Sequence, residues 1–223
     1  MPDGDVALVC GAGGALGSAL VDAFAARGDR VVAVDRAGPE AREGVRAEAA
    51  DLTSADEVEA LWSRLEADGV RPRWVVNAVG AFRTGTVADS DPDSLRLMLD
   101  LNLGTAWWSC RSAARRLDTG GAIVNVSARA ALTGGSGSAA YAVAKAAVVR
   151  LTQALALELA DRGVRANVLL PSVIDTPANR ASTPPEQMAK AVPPAEIAAV
   201  AAFLCSEASA PISGAAVPVY GRA

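Results

Sequence analysis

The sequence predicts an α/β fold in which a doubly wound parallel sheet is covered by helices on both faces. Three observations carry this. β-Branched runs of strand length alternate with longer segments of helical period from end to end. The first run opens directly into a glycine-rich turn. No repeat, charge run or composition shift divides the 223 residues, so 1–223 is expected to form a single domain.

The predicted strands are 6–10, 31–34, 74–76, 122–126 and 164–170. Each is a short apolar run and not an alternation, the pattern of a strand buried on both faces. The predicted helices are 17–28, 54–68, 92–118, 138–162 and 194–206, and in the fourth Val148, Leu151, Leu155 and Leu159 fall on one stripe. The stretch 171–193 holds Pro171, Pro177, Pro184, Pro185 and Pro193 and no strong period. An irregular connection that long usually binds or covers a ligand, so 177–193 is read as a substrate lid.

Composition narrows the chemistry. The chain has no histidine, which excludes a Ser-His-Asp triad, a Cys-His dyad and any His-ligated metal, so no metal site is expected. With 21 Lys+Arg against 25 Asp+Glu the net charge is −4, and neither nucleic acid nor an anionic membrane is an expected partner. Cys10, Cys110 and Cys205 lie far apart and read as free thiols in a reducing compartment. The N-terminal residues carry acid where a secretory leader carries base, and no apolar run reaches the ~18 residues of a membrane helix. A cytoplasmic protein with a small-molecule substrate is expected.

After the first predicted strand comes Gly11-Ala-Gly13-Gly14-Ala15-Leu16-Gly17, leading into a helix. Glycine lets the backbone turn tightly and approach a pyrophosphate, which then rests on the free N–H groups of the helix start. The next strand ends in Asp35, about 18 residues past Gly17. An acid there accepts hydrogen bonds from ribose hydroxyls and repels a 2′-phosphate, so NAD(H) is favoured. The bland alternative for Asp35 is a helix N-cap or turn acid, and the neighbouring Arg36 keeps NADP(H) open. Together these features predict a Rossmann-type dinucleotide domain.

Tyr141 and Lys145 are four apart at the start of a predicted helix, hence on one face with Cβ atoms about 5–6 Å apart. An ammonium beside a phenol stabilises the phenolate, so Tyr141 is expected to have a lowered pKa and to act as general acid-base.

With these residues the sequence resembles the short-chain dehydrogenase/reductase family over nearly its whole length. The matching features are the glycine string, Asp35, Asp51-Leu52, Asn77-Ala78-Val79-Gly80, Asn102, the 123–127 strand, Tyr141 with Lys145, and Pro171-Ser-Val173-Ile174-Asp-Thr176. The resemblance implies that Asp51 meets the adenine, Asn77–Gly80 pass beneath a ribose, and Val173, Ile174 and Thr176 bind the nicotinamide end. It further implies that Lys145 holds the nicotinamide ribose and Asn102 anchors a proton-relay water, the alternative for Asn102 being a polar kink in a long helix. It also implies a homodimer or homotetramer, in which the helices bearing Trp107-Trp108 and Val148-Val149 pair across a two-fold axis. The alternative there is that the tryptophans fill the core.

Departures from the family pattern are informative. The serine expected thirteen residues before Tyr141 is Ala128. Ser127 is its neighbour, but adjacent strand residues face opposite ways, so a substitute catalytic role competes with backbone capping. The alanine followed by Arg129, the 170–180 segment and Val217-x-x-Tyr220-Gly-Arg222 are similar to dihydropteridine reductase, a family member working with a lone Tyr/Lys pair. That likeness implies NAD(P)H-dependent hydride transfer to a carbonyl, imine or quinonoid acceptor. The rival expectation is a non-catalytic NAD(H)-binding regulatory or scaffold domain, which has no need of Tyr141, Lys145 and Asn102.

Overall fold

The computed structural model describes residues 4–40 and 42–222. Seven parallel strands form one sheet: β1 (Val6–Cys10), β2 (Arg30–Asp35), β3 (Val45–Ala49), β4 (Trp74–Asn77), β5 (Ala122–Val126), β6 (Arg165–Pro171) and β7 (Ala216–Val219). Their order is β3-β2-β1-β4-β5-β6-β7. The chain runs outward from β1 to β3 and then returns to lay β4 on the other side of β1. In an open parallel sheet that reversal leaves a crevice beyond the carboxyl ends of the strands, where ligands bind. Register pairs Cys10 with both Val34 and Asn77, so Gly11, Asp35 and Ala78 emerge at one edge.

Helices α1 (Ala15–Arg27) and α9 (Pro194–Leu204) cover one face, burying Leu20, Phe24, Ile197 and Leu204. The other face receives α2 (Ala55–Ala67), α4 (Thr105–Arg116) and α6 (Ala139–Glu158), with Leu61, Trp62, Leu65 and Leu155 in its core. Side chains of this size contribute about 1.5–3 kcal/mol each on burial. By length and composition α6 is apolar enough to cross a membrane, yet here it packs Val148, Val149 and Leu155 into the core beside β6.

The five predicted strands form within one or two residues. Two edge strands, β3 and β7, were not among them. Arg46 and Glu48 in β3 and Pro218 in β7 break the apolar pattern, and such residues belong on sheet edges. The predicted helix 92–118 is divided into α3 (Pro92–Leu99), a π-helical turn at Asp100–Gly104 and α4. The cause is Asn102, whose Nδ2 donates to the Met98 carbonyl one turn back at 3.0 Å. A short α5 (Ala130–Thr133) follows β5. The segment 171–193 is less irregular than expected: α7 (Pro177–Ser182) and α8 (Pro185–Met188) form within it.

Candidate active site

The β1–α1 turn starts at Gly11, whose N–H donates to the Val34 carbonyl at 2.8 Å. Gly11 has φ +89°, and a Cβ there would lie 2.9 Å from Val79 N. A Cβ on Gly17 would lie 1.9 Å from the Gly11 carbonyl oxygen, so neither position accepts a side chain. Gly14 caps α1 with extended backbone and no side chain, leaving the N–H groups of the first turn open to an anion. Asp35 is aimed across this turn: its carboxylate accepts from Gly13 N at 2.9 Å and Arg36 N at 2.7 Å.

Gly11, Gly14, Asp35, Arg36, Asp51, Leu52, Ala78, Val79 and Gly80 line a cleft of about 510 Å³. These nine were expected from sequence. Thr53, Ala50, Leu97, Leu101 and Thr105 also line it and were not. Thr53 has a recognisable signal, two residues after an aspartate: its hydroxyl and N–H donate to Asp51 Oδ1 at 2.6 and 2.9 Å. Those bonds hold the Asp51 carboxyl below its ordinary range. Leu97 and Leu101 are four apart and supply an apolar wall. A glycine-lined cradle with an acid at each of two strand ends fits a dinucleotide.

Some expected cofactor residues have other work. The Asn77 side chain does not face the cleft: it is buried, donating to Asn125 Oδ1 at 2.8 Å and to Cys110 Sγ at 3.4 Å. Only its backbone leads to the cleft, because the pleat turns that side chain inward. Ala15, Leu16 and Gly17 form the first turn of α1, and the Leu16 side chain enters the core. Thr176 Oγ1 caps α7 by accepting from Asn179 N at 3.2 Å.

Lys145 and Asn102 converge beside Gly80, and the Tyr141 ring lies next to Lys145. A Cβ on Gly80 would lie 2.8 Å from Asn102 Oδ1 and 2.9 Å from Lys145 Nζ. Asn102 is buried and clamps Ala81 from both sides, accepting from its N–H at 3.2 Å and donating to its carbonyl at 3.0 Å. Lys145 Nζ donates to the Val126 carbonyl at 3.1 Å and lies 5.9 Å from the Tyr141 ring centre. Phe82 packs edge-on against that ring, centroids 5.0 Å apart.

The expected lowering of the Tyr141 pKa is not seen. Burial pushes the phenol up to about 12 and Lys145 down to about 8. Desolvation favours the uncharged form of each group, which raises the phenol and lowers the ammonium.

Ser127 stays in the sheet register, its N–H bonded to the Leu169 carbonyl, and it also lines the second cavity described below. Its hydroxyl donates to the Lys145 carbonyl at 2.7 Å, the backbone capping that was the alternative to a catalytic role. Ser172 Oγ donates to the Tyr220 carbonyl and Asn179 Nδ2 to the Ile174 carbonyl. Ser127 and Ser172 have thus given their hydroxyl protons to backbone carbonyls, and Asn179 one of its two amide protons.

A second cavity, of about 930 Å³, lies against Tyr141, Phe82, Ala128, Arg129, Pro171, Val173 and Ile174, with α7 and the start of α8 on its far side.

A dinucleotide cradle opening onto a Tyr/Lys pair defines the class of nicotinamide-dependent oxidoreductases. The family model described as Enoyl-(Acyl carrier protein) reductase matches residues 11–221. The chain is 34% identical over 240 residues to the D-threitol dehydrogenase of Mycolicibacterium smegmatis, covering 98% of this chain and 92% of that protein. It is 35% identical over 243 residues to the galactitol 2-dehydrogenase of Rhizobium johnstonii, covering 97% and 94%. Among solved structures, a blue fluorescent protein from a metagenomic library in complex with NADPH superposes with a TM-score of 0.87 at 25% identity, covering 98% and 97%. The chain belongs to the short-chain dehydrogenase/reductase family and is an oxidoreductase.

Proposed function

We propose that the protein transfers a hydride between NAD(H) and a small molecule bearing a carbonyl, imine or quinonoid group, with Tyr141 as the proton donor. The observation that carries this is Gly80, which lines the dinucleotide cleft and approaches both Lys145 Nζ and Asn102 Oδ1. Bound in the cleft, the nicotinamide supplies or accepts the hydride. The chain's own residues do the rest. The α1 N-terminus and the glycine backbone hold the phosphates, and Asp35 takes the ribose hydroxyls, which favours NAD(H) over NADP(H). Lys145 and Asn102 hold the nicotinamide end of the cleft against the Tyr141 ring. Tyr141 keeps its proton through the neutral range because its pKa is pushed up, and gives it to the developing oxyanion during reduction. The segment 177–193 closes over the second cavity as a lid.

The names of the relatives favour a substrate whose alcohol and carbonyl forms interconvert. Ala128 favours a second reading, a conjugated acceptor of the dihydropteridine-reductase kind. Losing one oxyanion donor costs on the order of 2.7–4 kcal/mol in acyl transfer, and an acceptor that delocalises its charge needs that donor less.

The test is NADH oxidation with quinonoid dihydropterin and with simple ketones. Tyr141→Phe should lower turnover of any accepted substrate about 10²–10⁴-fold. Unchanged turnover in that variant rejects the mechanism, and tight NADH binding without turnover of any carbonyl rejects the enzyme reading in favour of a binding domain. The same proposal includes a homodimer or homotetramer, formed through the exposed α4–α6 face.

A further inference from the structure

The substrate cavity carries two charged side chains, Arg83 and Arg129, and both are cationic. Its remaining walls are apolar or neutral, among them Phe82, Val173 and Gln187. Many arginines elsewhere are held by acids, among them Arg46 by Glu48 and Asp68, Arg73 by Asp5, Arg116 by Glu66 and Arg180 by Asp175, while others such as Arg165 bond backbone carbonyls. Neither Arg83 nor Arg129 has such a partner among the described residues. Of the acids next to wall residues in sequence, Asp175 is closed by two bonds from Arg180 at 2.5 and 2.8 Å and Asp93 is paired with Arg96 at 3.6 Å, while Glu186 precedes Gln187; none of the three lines the cavity.

Both guanidiniums are carried on anchored backbone. Arg129 stacks over the Tyr220 ring at 5.0 Å, and its N–H donates to the Pro171 carbonyl at 2.8 Å. Arg83 lies in a loop tied at Ala81 by Asn102 and at Gly85, whose N–H donates to the Gly137 carbonyl at 2.7 Å. Its neighbour Phe82 is the ring packed on Tyr141. In a chain of net charge −4, two unpaired arginines beside the proton donor, with no carboxylate on the same wall, make a local field that selects anions.

We propose that the substrate is a small anion, which carries near its reacting carbon a carboxylate or phosphate group bound by Arg129 and Arg83. The guanidinium fork matches either group, and binding at that end orients the reacting oxygen toward Tyr141. Such positioning compensates for the donor missing at Ala128, because remote binding energy is used to hold the reacting group in place. The proposal rests on the oxidoreductase reading and refines its substrate class.

Binding to the NADH-loaded enzyme separates the two. The probes are two matched pairs: acetoacetate with its methyl ester, and dihydroxyacetone phosphate with dihydroxyacetone. Isothermal titration at low ionic strength should show at least one charged member binding about tenfold or more tightly than its neutral counterpart. The first pair reports a carboxylate site and the second a phosphate site. Sulfate should weaken the charged member only. In an Arg83→Gln/Arg129→Gln double variant the ratio should fall to about one, and Arg129→Lys should keep part of it. NADH fluorescence confirms that the variants retain the fold. Equal affinities within both pairs, or a ratio that survives the double variant, overturns the anion site. NADH oxidation by the same compounds is scored separately, so binding without reduction rejects the catalytic reading and leaves the anion site standing.

Discussion

Tyr141 and Lys145 lie one helical turn apart, yet burial moves them in opposite directions, the phenol to about 12 and the ammonium to about 8. Between pH 8 and 10 the unfolded chain keeps a charged Lys145 while the folded one holds it neutral. At that residue the unfolded state binds more protons, so Lys145 by itself adds stability across the window. Burial also pushes the Cys10 thiol up to about 11 and the Cys110 and Cys205 thiols up to about 12, so all three ionise first in the unfolded chain and outweigh the lysine, and the tyrosine adds to the loss above pH 10. Urea unfolding should therefore show stability falling as the pH rises past about 9, and Lys145→Met should deepen the fall between pH 8 and 10 by about 2 kcal/mol. Ala128 yields a second residue-scale prediction. It lines the cavity beside Tyr141, so a serine hydroxyl there adds a donor beyond Ser127 and Ser172, whose hydroxyl protons go to backbone carbonyls. Ala128→Ser should raise ketone turnover about tenfold or more, measured as kcat/KM. Residue roles were legible where backbone geometry demanded a type, as at Gly11 and Gly17. Asn77 was misread because its motif marks a strand end, whereas its side-chain direction depends on Asn125 in the neighbouring strand.

At the scale of elements, the β1–α1 junction joins fold and function most tightly. Gly17 sits inside the first turn of α1, where a methyl group would meet the Gly11 carbonyl and the Ala12 backbone at 1.9 and 2.7 Å. Both contacts are backbone, so no side-chain rotation relieves them. Gly17→Ala should cost about 1–3 kcal/mol of stability and abolish NADH binding, read by urea unfolding and by quenching of tryptophan fluorescence on NADH addition. Full NADH affinity in this variant contradicts the assigned cradle. Buried strands were readable because each is a continuous apolar run. The edge strands β3 and β7 were hidden by Arg46, Glu48 and Pro218, residues that suit an edge but erase the strand signal. The break between α3 and α4 was hidden for another reason: one buried amide bonded to a carbonyl four residues back leaves no trace in apolar periodicity.

For the whole molecule, the covered and uncovered faces decide what else the surface does. Both sheet faces are closed by helices, yet α4 and α6 turn a further apolar side outward, where a groove of about 1050 Å³ runs between Trp107, Trp108, Leu103 and Leu151. One tryptophan does pack inward, as Trp108 rests against the core, while Trp107 is 48% exposed. Farther along α6 Leu157 is 82% exposed. Arg111, Arg115, Arg150 and Glu158 rim the groove, the arrangement of an apolar centre inside a charged border that protein interfaces share. The proposed homodimer or homotetramer places this face against its own copy, since an isologous contact matches like surfaces across a two-fold axis. Light scattering after size exclusion should give a multiple of the 22.6 kDa chain at micromolar concentration. Trp107→Glu puts a charge at the centre of the face and should drive the mass to that of one chain, with the helical circular dichroism preserved. A wild-type protein that elutes as a single chain, or a variant that stays assembled, moves the contact elsewhere.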